Sequence, residues 1–131
     1  MEELPIRTGD DVVRVRQQVR TVAARSGLSL VDQTKLVTAA SELARNALVH
    51  GGGGTARVEV ITSGAGKPGV QVDFTDDGPG IPDVDLALTD GWTTGDGLGL
   101  GLSGARRLVD EFELTSKPGR GTSVVVTKWS R

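Results

Sequence analysis

Glycine sets the first limit on what this chain can fold into. Nineteen of its 131 residues are glycine, roughly twice ordinary usage and without a collagen period. Most of them gather at 51–54, 64–69, 78 with 80, and 91–104, with a smaller pair at 119 and 121. Such clusters interrupt helix and strand alike, so regular structure is expected between them. A chain of this length predicts a single domain, residues 1–131, burying about two thirds of the surface its unfolded form exposes.

Between the clusters the apolar spacing is regular. Leu4 to Arg7 reads as a short edge strand, where the donor missing from Pro5 is tolerated. Asp10 or Asp11 can cap a first helix carrying Val12, Val15, Val19, Val22 and Ala23 inward, and Gly27 ends it. Ser29 with Asp32 predicts the start of a second helix that reaches about Val49, its stripe formed by Leu36, Val37, Ala40, Leu43, Ala44, Ala47 and Leu48. Ala56 to Ile61 and Val70 to Phe74 alternate as half-buried strands joined by a glycine-rich hairpin. Residues 81–96 read as loop with one helical turn at Val84 to Leu88, and helical spacing returns from Leu100 to Phe112. Phe112 to Ser116 and Thr122 to Trp129 then form a last strand pair, turned by Lys117-Pro118-Gly119-Arg120-Gly121. The order β-α-α-β-β-α-β-β predicts an α+β fold, a two-layer α/β sandwich whose mixed, mainly antiparallel sheet is covered by helices on one face.

Composition removes several kinds of activity. The chain has no Cys, which excludes disulfide frameworks, thiolate metal sites and cysteine nucleophiles. No apolar run approaches the ~20 residues of a bilayer span, and the N-terminus lacks the pattern of a secretory signal, so a soluble cytoplasmic protein is expected. A formal charge of −2, two Trp, two Phe and no Tyr supply neither the basic field nor the stacking platform of a nucleic-acid binder.

Three places carry residues able to do chemistry. Asn46 is the only Asn and His50 the only His, and both share a helix with Glu42. At i, i+4 and i+8 the three drift by about 40° per step along one face. By themselves they also fit a polar helix edge with His50 near the C-terminal dipole. Asp76-Asp77-Gly78-Pro79-Gly80 follows a strand and can hold a carboxylate on a stiff turn, or simply be an acidic turn. It imitates a calcium loop through Asp73, Thr75, Asp77 and Gly78, but Val84 stands where the bidentate Glu is required. Gly95-Asp96-Gly97-Leu98-Gly99-Leu100-Gly101-Leu102 leads a row of backbone N–H groups into a helix terminus, which suits phosphate. Gly99, Gly101 and Gly104 match G-x-G-x-x-G, yet no hydrophobic strand precedes them, which excludes a dinucleotide fold, and no P-loop pattern occurs.

Taken in order, Glu42-x-x-x-Asn46, Asp76-x-Gly78-x-Gly80, Gly97-x-Gly99-x-Gly101 and Gly119-x-Gly121-Thr122 resemble the Bergerat-fold ATP-binding domain of the GHKL superfamily (HATPase_c-like). Within it the chain looks most like the small serine/threonine switch kinases of the RsbT type. The segments Ser41 to Asn46, Asp77 to Asp83, Arg107 to Phe112 and the ending Thr127-Lys128-Trp129 carry that likeness. The resemblance implies ATP with Mg²⁺, the metal on Asn46 and completed by phosphates and water. Glu42 is then the general base of phosphoryl transfer. Asp76 accepts a hydrogen bond from the adenine amino group, with Gly78, Gly80, Ile81 and Thr122 around the base. Gly97, Leu98, Gly99, Leu100, Gly101 and Leu102 line the phosphates.

From Gly78 through Ala105 there is no Lys or Arg, while Asp83, Asp85, Asp90 and Asp96 are present. Phosphate charge must therefore fall to Mg²⁺, backbone amides and the helix terminus, with Arg45, His50 and Arg106 as further candidates, and slow intrinsic turnover is expected. The resemblance implies a kinase of bacterial stress signalling that phosphorylates STAS-domain (RsbS/RsbR-like) stressosome proteins and then activates a PPM-type, RsbU-like phosphatase. The alternatives are an anti-sigma factor kinase of the RsbW or SpoIIAB type and a non-catalytic nucleotide-binding adaptor, although an adaptor has no need of Glu42. Free, the protein is expected as a monomer or weak dimer. The short lid departs from those of chaperone and gyrase relatives, so clamp closure is not implied.

Overall fold

The computed structural model describes residues 2–78, 101–116, 119 and 121–130. Among them the chain forms β1 (Glu2–Ile6), α1 (Gly9–Arg25), α2 (Leu30–Val49), β2 (Gly54–Thr62), β3 (Pro68–Asp76), α3 (Gly101–Arg107), β4 (Glu111–Ser116) and β5 (Thr122–Trp129). This is the expected order. The expected turn at Val84 to Leu88 and residues 79–100 lie outside the described residues.

The strands form one sheet in the order β1-β2-β3-β5-β4. All four pairings are antiparallel, so the mixed sheet expected from the sequence is antiparallel throughout its described part. Ladder rows explain which face is covered. Leu4, Ala56, Phe74, Val124 and Leu114 align across the five strands, and Val58, Val72, Val126 and Phe112 form the next row on the same face. Against this face α1 brings Val15 and Val19, and α2 brings Leu36 and Leu43, all buried. Each such side chain contributes about 1.5–3 kcal/mol by leaving water.

The ends of the helices refine the sequence reading. Thr8, not Asp10 or Asp11, caps α1: its hydroxyl accepts from the Asp11 amide, and the Asp11 carboxylate accepts from the amides of Arg7 and Thr8. This is a reciprocal capping box, in which Asp11 sits three residues after the cap. Those two amides, that of Arg7 foremost, and the Arg14 guanidinium hold the Asp11 carboxyl below its ordinary range against the opposing effect of burial. Ser29 caps α2 as expected. The third helix stops at Arg107 rather than Phe112. The Asp110 amide donates to the Thr127 carbonyl and draws the chain into the sheet, so Leu108, Val109 and Phe112 reach the core from a turn and a strand.

At the end of the sheet where β3 begins, Lys128 projects from β5 into the covered face, in the row of Val70. It is buried, and its Nζ lies 3.5 Å from Asp32 Oδ1 at the start of α2 and 3.4 Å from Asp110 Oδ1. The second oxygen of Asp110 accepts from the Trp129 amide at 2.8 Å. A buried ammonium is tolerable only with such compensation.

Candidate functional site

The site begins on the C-terminal half of α2. Leu43, Ala44 and Ala47 bury one side of the helix in the core, which leaves Glu42 and Asn46 half-buried at its margin, one turn apart. Glu42 Oε1 accepts a hydrogen bond of 3.2 Å from the amide of Gly101, the first residue of α3 and 59 positions away in sequence. A charged acceptor on a backbone donor makes this stronger than a neutral pair. The side chain of Asn46 has no hydrogen-bond partner among the described residues, while its carbonyl accepts from the amides of His50 and Gly51 and closes the helix.

Asp76 enters at the end of β3. Gly54, Asp76, Thr122 and Ser116 form one row across β2, β3, β5 and β4. Two residues on from the row of Ala56, Phe74, Val124 and Leu114, they occupy the same helix-covered face. Asp76 Oδ1 accepts from the Gly78 amide at 2.9 Å, a local turn typical of Asp before glycine. The hydroxyls of Thr122 and Ser116 are 3.0 Å apart, and Ser116 Oγ donates to the Gly121 carbonyl at 3.2 Å. Gly121 has φ +84°, and a Cβ there would stand 2.0 Å from the Asp76 carbonyl oxygen, so no other residue fits. The end of α2, the end of β3 and the start of β5 thus converge, with the start of α3 held against Glu42.

The structure joins Glu42 to Gly101, with buried Leu102 following, and Asp76 to Gly78 and Thr122, while Asn46 lies one turn from Glu42 on the helix whose end, at Ala47 and Gly51, packs on Asp76. Arg45, His50 and Arg106 are exposed, His50 as the C-cap of α2. Gly80, Ile81, Gly97, Leu98, Gly99 and Leu100 lie outside the described residues. Ser116, Gly51 and Gly54 join the cluster unforeseen: a hydroxyl inside a strand and glycines inside a run carry no local mark of where they pack. Among the described residues no group of three His, Cys, Asp or Glu could cage a metal. The lone amide of Asn46 fits instead a Mg²⁺ that brings phosphate and water ligands with it.

Comparison with known proteins fits this geometry. The family model described as Histidine kinase-, DNA gyrase B-, and HSP90-like ATPase matches residues 31–130, from the start of α2 to the end of β5. The chain belongs to this family. As a member of this ATPase family it is similar to the serine/threonine-protein kinase RsbT of Bacillus subtilis, at 44% identity over 126 residues, 96% of this chain and 94% of that one. An anti-sigma F factor of Thermoanaerobacter is 28% identical over 117 residues, 87% of this chain and 82% of that one. Among solved structures, the RsbU and RsbW domains of Rv1364c from Mycobacterium tuberculosis match with a TM-score of 0.65 and 26% identity; all of this chain is covered, and it spans 33% of that one. The mycobacterial sensor histidine kinase MprB shares the fold, with a TM-score of 0.54 at 19% identity, covering 99% of this chain and 97% of that one. The likeness to the GHKL superfamily and to the RsbT type read from the four motifs is borne out.

Proposed function

We propose that the 131 residues form one ATP-binding domain that acts as a protein serine/threonine kinase. Its substrates are STAS-domain scaffold proteins, and as a partner switch it activates a PPM-type phosphatase in the cytoplasm. The observation that carries this reading is the hydrogen bond from Gly101 to Glu42, which sets a carboxylate at the end of the glycine-alternating segment. The 44% identity to a protein named a serine/threonine-protein kinase supports it.

In this reading Asp76 accepts the adenine amino group, with Gly78, Gly80, Ile81 and Thr122 beside the base. The amides of 97–102 meet the phosphates, and Arg45, His50 and Arg106 supply charge from the rim. Asn46 would hold Mg²⁺, which when bound neutralises triphosphate charge. Glu42 receives the proton of the substrate hydroxyl as that oxygen bonds to the γ-phosphorus, and the bond from phosphorus to the ADP oxygen breaks.

The likeness to anti-sigma F factors keeps a second reading in view, a kinase that also sequesters a sigma factor. One assay separates them: incubation of the pure protein with γ-labelled ATP, Mg²⁺ and a panel of STAS and sigma proteins from the same genome. Label on a STAS protein with no sigma factor retained is expected. Stoichiometric capture of a sigma factor favours the second reading, and ATP binding with no labelled protein contradicts both.

A further inference from the structure

Three of the glycine clusters that are separate in sequence meet around one carboxylate. A Cβ on Gly51 would lie 2.4 Å from Asp76 Cγ, 2.6 Å from Asp76 Cβ and 2.7 Å from the Ala47 carbonyl oxygen. One on Gly54 would stand 3.2 Å from Asp76 Cβ, and Gly121 presses on the Asp76 carbonyl. On the fourth side the Gly78 amide holds Oδ1 at 2.9 Å, while the Gly78 backbone packs on Gly51. The carboxyl is therefore held in one orientation, with one oxygen committed to Gly78.

We infer that Gly51 is a specificity-determining positioning residue: its bare Cα fixes the Asp76 carboxylate so that a single oxygen faces the base, and this sets the selection of a 6-amino purine. The inference rests on the reading of Asp76 as the adenine acceptor. Gly51, unlike Gly52 and Gly53, does not have a positive φ. Alanine there introduces no backbone strain, and its effect comes from the methyl group alone, which must push the carboxyl group aside because the Ala47 carbonyl belongs to the α2 backbone.

The test is competition of ATP and of purine riboside triphosphate, which lacks the 6-amino group, against a fluorescent nucleotide on wild type and Gly51→Ala. Wild type is expected to prefer ATP by about 10- to 100-fold, as for a hydrogen bond to a charged group. In Gly51→Ala the preference collapses toward unity through loss of ATP affinity, with the analogue little changed. A variant that weakens both nucleotides alike and keeps the wild-type ratio overturns the role of Gly51 and leaves the reading of Asp76 standing. A wild type without preference removes both. Hydrogen exchange on the wild type is independent of how the variant folds: the Gly78 amide is expected to be protected with and without ATP, and exchange at the rate of a free peptide in the unliganded protein contradicts a fixed carboxylate.

Discussion

The two ends of α2 hold polar clusters of opposite character. Near its start Asp32, Lys128 and Asp110 satisfy one another in the covered face, and the Trp129 amide takes a remaining oxygen. About 21 Å along the helix axis, at 1.5 Å per residue, Asn46 keeps an unpartnered amide among the described residues, and Asp76 has one oxygen bonded to Gly78. Buried polar groups that close on themselves hold elements in place; groups left with open acceptors at a half-buried margin are available to a ligand. The first cluster ties α2 to β5.

Substitutions at the two ends are therefore expected to fail in different ways. The largest effect is expected from Glu42→Gln, which should slow phosphoryl transfer by roughly 10²–10⁴ while Mg-ATP binding stays near wild type; single-turnover labelling at saturating ATP measures it, and unaltered transfer removes the role of base. Lys128→Met should instead cost about 3–5 kcal/mol of stability by removing the ammonium that two largely buried carboxylates face. Urea unfolding reads that loss, and the nucleotide selectivity of the folded fraction should not move.

Asp76→Asn probes the other end of α2. It should lose about 1.5–3 kcal/mol of adenine-nucleotide affinity, the worth of a hydrogen bond to a charged group, without a comparable loss of stability in urea. Isothermal titration on the folded variant decides whether Asp76 reads the base. Asp11 gives the smallest effect and only on stability. Its carboxyl is held below the ordinary range by amide donors and Arg14, so its contribution is present above that range and is lost as pH falls below it, toward the lowered value of the folded state. Asp11→Asn should lower stability at neutral pH, and the difference from wild type should shrink on acidification below pH of about 4.

Much of this was legible in the sequence because it is local. Ser29 three residues before Asp32, followed by the stripe from Leu36 to Leu48, specifies α2, and period-two alternation marks β2 and β3. The same kind of signal misled at α3, where Leu108, Val109 and Phe112 keep helical spacing although the Asp110 amide has already joined β5. Thr8 is legible as a cap, since Thr-x-x-Asp is a capping-box spacing, although Asp10 and Asp11 beside it are equally good capping residue types. Nothing local announces that Gly51 packs on Asp76, that Glu42 takes an amide 59 residues away, or that Lys128 is buried between two acids. Those are products of tertiary closure, and of them the order of the four motifs carried only the expectation that Glu42, Asp76 and Gly101 belong to one site.

The most direct measurement is a crystal structure with Mg²⁺ and a non-hydrolysable ATP analogue. The adenine amino group is expected within roughly 2.7–3.2 Å of the Asp76 carboxylate, the metal at about 2.0–2.1 Å from the Asn46 amide oxygen, and Glu42 facing the γ-phosphate. A nucleotide bound elsewhere, or one whose base leaves Asp76 untouched and whose metal ignores Asn46, would contradict this arrangement.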